Sequence, residues 1–119
     1  LQSIIEISLS SEHGRWVLGP YPIAKNEYEL VVDSGKGIKR YIIDRTFVDE
    51  DDQRWIIDYK SSEPRDSEDL NAFFSRMEQR YNTQLSGYMS LFNLSEPGRR
   101  HRCGLFFPML GRFHEIMMQ

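Results

Sequence analysis

The chain has a single cysteine, Cys103, among 119 residues, so no disulfide can form within it. A reducing, cytoplasmic setting is the reading that follows. Long apolar runs are absent as well. None approaches the ~20 residues of a membrane span, and no secretory leader opens the chain, so no membrane partner is expected. An excess of positive charge is also missing: 15 Lys and Arg oppose 18 Asp and Glu, for a net charge of -3. That excludes binding nucleic acid by bulk charge, but leaves room for a local basic patch and for a carboxylate-rich metal site. There are no internal repeats and no low-complexity segments. The first residue is not Met, and Leu1-Gln2-Ser3-Ile4-Ile5-Glu6 already reads as structured, so the expectation is a fragment of a larger protein.

Hydrophobic residues at 39% and charged residues at 28% suit one ordinary globular domain. Leu1, Ile4, Ile5 and Leu9 fall at helical spacing, predicting a short amphipathic helix over residues 1 to 13. Gly14, Gly19, Pro20 and Pro22 then predict a loop, anchored by Trp16 and Leu18. Residues 27–33 and 38–48 read as strands, separated by Ser34-Gly35-Lys36-Gly37. An acidic turn, Asp49 to Asp52, leads to a third strand over 53–60, and turns this short imply an antiparallel meander. Pro64 marks a loop. Leu70, Phe73, Phe74, Met77, Tyr81, Leu85, Tyr88, Met89 and Phe92 recur at helical steps, predicting one helix or a broken pair over 68–93. Pro97-Gly98 ends it. Strands are expected over 102–109 and, at an edge, 112–116. The fourth strand should join the sheet by a crossover through the long helix. The order α-β-β-β-α-β-(β) predicts an α/β sandwich with a mixed sheet.

Two apolar strands each carry a carboxylate: Ile42-Ile43-Asp44-Arg45 and Ile56-Ile57-Asp58-Tyr59-Lys60. A carboxylate in a buried run needs a cation or several donors. The strands are neighbours across a tight turn, so Asp44 and Asp58 are expected to approach, and like charges there repel. A divalent cation such as Mg²⁺ relieves that repulsion. Lys60 follows Asp58 by two residues and shares its face. The alternative is an ion-pair network in which Arg45, Lys60 or Arg54 neutralises the two carboxylates.

Asp44, then Asp58-Tyr59-Lys60-Ser61, then Tyr81-Asn82-Thr83-Gln84-Leu85-Ser86-Gly87-Tyr88 resembles the RecB-like branch of the PD-(D/E)xK nuclease superfamily. The resemblance runs from Glu27 to Pro108 and implies a restriction-endonuclease-like fold. It implies a metal-dependent deoxyribonuclease, exonuclease rather than endonuclease, like the C-terminal modules of UvrD/Rep-type helicase-nucleases. Asp44, Asp58 and the Tyr59 carbonyl would then hold Mg²⁺ or Mn²⁺. Lys60 would position or activate the attacking water, and Gln84 and Tyr88 would line the site near the DNA backbone, with Tyr81 as a further candidate. The implied partners are single-stranded DNA, helicase domains in the same protein and a partner subunit of a helicase–nuclease complex, in a bacterial cytoplasm. The other reading within the same fold is an inactive scaffold that binds DNA or a partner in a repair complex.

The remaining residues divide between bland and functional readings. Glu27, before the first strand, either faces the site or is a solvated strand start. Arg45 pairs with an acidic neighbour or reaches a phosphate, the first being commoner. Arg99-Arg100-His101-Arg102 is the strongest basic run, and Arg99 and Arg100 are its candidates for DNA phosphates. His101 and His114 lack zinc spacing, and Asp49 to Asp52 lacks the spaced ligands of a calcium loop. His13 is not assigned to the extra His ligand that the resembling nucleases carry on an upstream helix. Cys103 is expected to be a small buried hydrophobe.

Overall fold

The computed structural model describes residues 11–33 and 35–118. Helix α1 spans Glu12–Val17, followed by strands β1 (Ala24–Asp33), β2 (Ile38–Val48) and β3 (Arg54–Tyr59). Helix α2 spans Leu70–Ser95 and is followed by β4 (His101–Phe107) and β5 (Arg112–Ile116). The expected helical run over residues 1–10 lies outside the described residues. Gly14 and Trp16, expected in a loop, are helical instead. Ser11 caps α1 by accepting a hydrogen bond from Gly14 N at 2.8 Å, which carries the helix through its glycine.

The five strands lie in the order β1-β2-β3-β4-β5. β1, β2 and β3 form the antiparallel meander, β4 runs parallel to β3, and β5 returns antiparallel at the edge. The parallel step follows from the chain path, because α2 carries the chain back across the sheet before β4 begins. The result is an α/β fold with a mixed sheet.

α2 is unbroken. Asp69 caps it through Ala72 N at 2.8 Å, and its apolar stripe meets one face of the sheet. Phe73, Met77, Leu85, Tyr88 and Phe92 bury against Ile43, Ile56, Cys103, Leu105 and Phe107. A second cluster fills the opposite face, where Val17 and Trp16 from α1 pack on Phe47, Trp55, Ile57 and Phe106. Both faces of the central strands are therefore covered. That explains why β3 and β4 read as continuous apolar runs rather than alternating ones. Cys103 is fully buried, and burial pushes its thiol up to about 12, which leaves it inert at neutral pH.

Arg99 and Arg102 of the basic run after α2 have acidic partners, while Arg100 is exposed. Arg54 and Arg99 both pair with Glu96, Arg99 also reaches Asp52, and Arg102 pairs with Glu115. This network closes the end of α2 onto the start of β3.

Gly104 in the centre of β4 has no room for a side chain. A Cβ there would lie 2.4 Å from the Phe113 ring and 2.6 Å from the His114 carbonyl oxygen on β5. Gly104→Ala is expected to destabilise the chain by about 1–3 kcal/mol, as overpacking does. A urea unfolding midpoint matching the wild type would show that β5 does not press on β4 as described.

Candidate active site

The site arises where the regular pairing of β2 fails on both sides. The β2–β3 ladder runs from Val48↔Arg54 to Arg45↔Ile57 and stops. One register step further, Asp44 faces Asp58. On the other edge, Asn26↔Arg45 and Tyr28↔Ile43 are paired, while Glu27 between them has φ 49. A non-glycine residue in the left-handed region costs about 1 kcal/mol or more, so the strand is strained opposite Asp44. Ile43 belongs to the cluster under α2, whereas Arg45 turns to α1. Residues two apart in a regular strand share a face, so β2 switches faces across Asp44.

That irregularity releases a donor. Lys60 N bonds to Phe106 O of β4, so Tyr59 N points the other way, toward β2. Instead of a β2 carbonyl it finds the Asp44 carboxylate, donating to Oδ2 at 2.7 Å. The N–H and C=O of a strand residue project to the same edge, so the Tyr59 carbonyl also opens on the Asp44 side.

Asp58 is 8% exposed, and its carboxyl is within hydrogen-bonding reach of Asp44. Asp58 Oδ2 lies 2.9 Å from Lys60 Nζ, which approaches it without hydrogen-bond alignment. Burial first, and the Asp44 carboxyl second, push the Asp58 carboxyl up to about 6, with Lys60 acting in the opposite sense. Lys60 Nζ also sits 3.8 Å above the centre of the Tyr81 ring. Its ammonium is thus held between a carboxylate and an aromatic face.

The structure brings Asp44, Asp58, Tyr59, Lys60 and Tyr81 together. Gln84 and Tyr88 follow along α2, joined by a Gln84 Nε2 to Tyr88 hydroxyl hydrogen bond of 2.9 Å. They line a groove of about 390 Å³ with Tyr41, Thr83, Gly87 and Leu91. Glu27 is exposed on β1 opposite Asp44. Arg99 and Arg100 are not brought to this cluster; they precede β4 beside Arg54, at the opposite end of β3 from Lys60. His13 accepts a hydrogen bond from Phe113 N on β5 and is held there. A second concavity of about 390 Å³, at Pro20, Tyr21, Pro22 and Val48, carries none of these groups.

Arg45 behaves differently from both readings made of it. Its guanidinium donates to Val17 O at 2.6 Å, Gly19 O at 2.8 Å and Asn26 Oδ1 at 2.9 Å. It satisfies carbonyls left open at the end of α1 rather than a carboxylate or a phosphate. Arg54 is likewise committed to Glu96. Of the three cations considered for an ion-pair network, Lys60 alone is at this pair, and it meets Asp58.

Among the described residues, no three His, Cys, Asp or Glu side chains cluster as a metal cage. The set that fits a divalent cation is smaller: two adjacent carboxyls and the Tyr59 carbonyl, with water completing the shell of a hard ion. The raised Asp58 carboxyl is in keeping with that fit: burial first and the neighbouring Asp44 carboxyl second disfavour its charge, and a cation would relieve both. No protein-family model and no curated protein matches the chain.

The folded chain holds the Asp58 proton more tightly than the unfolded chain, at about 6 against 3.8. This group therefore costs stability increasingly as pH rises from about 4 to about 6, and the cost is complete above that. In EDTA, the Tm of the wild type minus that of Asp58→Asn should fall across this interval. Glu68 and Glu96, held down to about 2 by Arg76 and Arg54, titrate alike in both proteins and cancel. A difference that is flat or rises with pH would contradict the account of Asp58.

Proposed function

We propose that this chain is a metal-dependent DNA nuclease domain of the RecB-like, restriction-endonuclease-like type. In this reading it hydrolyses phosphodiester bonds in DNA repair or recombination. It acts as an exonuclease on single strands delivered by helicase domains of the same protein, alone or with a partner subunit. The observation that carries the reading is the meeting of Asp44 and Asp58 at the break in β2 pairing, with the Lys60 ammonium against Asp58. Two carboxyls sharing one ammonium leave a deficit of positive charge that a divalent cation fills.

Bound there, Mg²⁺ or Mn²⁺ would supply Lewis-acid polarisation of the phosphate and an acidified water. Asp44 and Asp58, as carboxylates, would hold it. Tyr59 fixes the Asp44 carboxylate through its N–H and offers its carbonyl from the same edge. Lys60, steadied by the Tyr81 ring, is placed to orient the attacking water and to neutralise charge growing on the phosphate. Gln84 and Tyr88 line the path of the strand along α2. Among the described residues no helix is long and apolar enough to cross a membrane.

A second reading, an inactive nuclease fold that scaffolds DNA or a partner, draws on one observation. No third ligating side chain joins the two carboxyls among the described residues.

The test is cleavage of end-labelled single-stranded DNA by the full-length protein in Mg²⁺ or Mn²⁺. Wild type should cleave, and Lys60→Ala should be folded, bind Mn²⁺ and be slower by about 100-fold or more. No cleavage by the wild type with either metal would favour the scaffold. A fully active Lys60→Ala would remove Lys60 from the chemistry.

A further inference from the structure

Helix α2 continues unbroken through Gly87, deep in its interior. Glycine is the least favourable helix residue after proline, so its presence asks for a reason. The described residues supply none: among them, no atom lies within 4 Å of a Cβ built on Gly87. What Gly87 does is line the groove of about 390 Å³ with Tyr41, Thr83, Gln84, Tyr88 and Leu91.

The walls of that groove are chemically specific. Tyr41 meets Tyr88 edge-on, with ring centroids 6.0 Å apart and planes at 74°. Tyr41 and Leu91 are half-buried, so each offers apolar surface to the groove. Thr83 and Gln84 are exposed at its rim, with the Gln84 amide tied to the Tyr88 hydroxyl. A missing side chain at Gly87 lets a flat ring lie against the helix backbone. The groove lies on the same helix as Tyr81, which meets the Lys60 ammonium. Lys60 sits over Tyr81, and Gln84 is three residues on, roughly 4.5 Å along the helix. A group bound in the groove would thus adjoin a phosphate held beside Lys60.

We propose that this groove takes a nucleobase of single-stranded DNA, from the nucleotide next to the scissile phosphate. The inference rests on the nuclease reading and adds which part of the strand is held, a base, and which residues hold it. Bases inside a duplex are stacked and paired and cannot enter a groove on a helix face, whereas single-strand bases stack readily on aromatic rings. Tyr41 is then a binding residue, and Gly87 is the position that keeps the groove open.

The test separates the groove from the catalytic centre. Binding of fluorescent oligo-dT, and of an equally long oligomer of abasic residues, is measured by anisotropy in Ca²⁺. Wild type, Gly87→Ala and Gly87→Leu are compared, with thermal melts alongside. The wild type should bind the abasic oligomer about tenfold more weakly than oligo-dT, the scale of one lost stacking contact. Gly87→Leu should bind oligo-dT with a similar loss and the abasic oligomer unchanged. Gly87→Ala should show a smaller loss while raising Tm, because alanine favours the helix. Weaker binding by a more stable protein is a result that a structural role for Gly87 does not give. Equal binding of oligo-dT by wild type and Gly87→Leu, or equal binding of the two oligomers by wild type, overturns the proposal. Base-dependent, Gly87-sensitive binding without cleavage in Mg²⁺ or Mn²⁺ supports the groove and defeats the nuclease reading. Cleavage with base-independent binding does the reverse.

Discussion

Asp44 and Asp58 meet where two strands stop pairing, and Lys60, 2.9 Å from Asp58, is the only one of the nearby cations considered that answers them. Most of what is unusual in the chain gathers around that shortage of positive charge. The Asp58 carboxyl is raised to about 6, Asp44 accepts a backbone N–H released from the ladder, and Glu27 opposite it is strained. A fold that needed only stability would continue the ladder and place apolar side chains at these positions, since an apolar pair is often no worse than a buried ionic one. Against β1 the irregularity is one step, with regular pairing on either side of it, while against β3 the ladder ends there.

The rest of the structure holds that step in place. β4 runs parallel to β3 and continues beyond the β2 ladder to Tyr59↔Phe106, so the end of β3 stays fixed while β2 leaves it. α2 covers the same face and contributes Tyr81 against the Lys60 ammonium. On the opposite face, Arg45 fastens the end of α1 to the strand residue next to Asp44. At the far end of β3, Glu96 gathers Arg54, Arg99 and His101 and ties the close of α2 to the sheet. The charge network at that end is balanced by its own partners, whereas the one at Asp44 and Asp58 is not.

Much of this was legible in the sequence because it follows from local rules. β2 begins and ends where its β-branched and aromatic run does, and the crossover follows from a long helix between two strands. The approach of Asp44 to Asp58 could be expected from paired Ile-Ile-Asp runs on strands joined by a short turn. What could not be read is set by tertiary contact. Ser11 rescues a helix across Gly14, because a cap outweighs one glycine. The role of Arg45 depends on carbonyls 26 and 28 residues away in sequence, which no local pattern encodes. Nor could the pairing of Arg99 with Asp52 and of Arg102 with Glu115 be read, since those partners are distant in sequence. Tyr41 carries no sequence signal for the groove at all; it comes to Tyr88 only through the packing of α2 on β2.

The most direct measurement is paramagnetic broadening by Mn²⁺ in a ¹H–¹⁵N spectrum of the isotope-labelled chain. If the carboxyl pair is the cation site, substoichiometric Mn²⁺ broadens the amides of Asp44, Asp58, Tyr59 and Lys60 first. Tyr59 leads, because its N–H lies against the Asp44 carboxylate. The amides from Arg99 to Arg102, at the opposite end of β3, stay sharp. Broadening that begins instead at the acidic turn from Asp49 to Asp52, or that spreads without a centre, would contradict the assignment of Asp44 and Asp58 as a metal site.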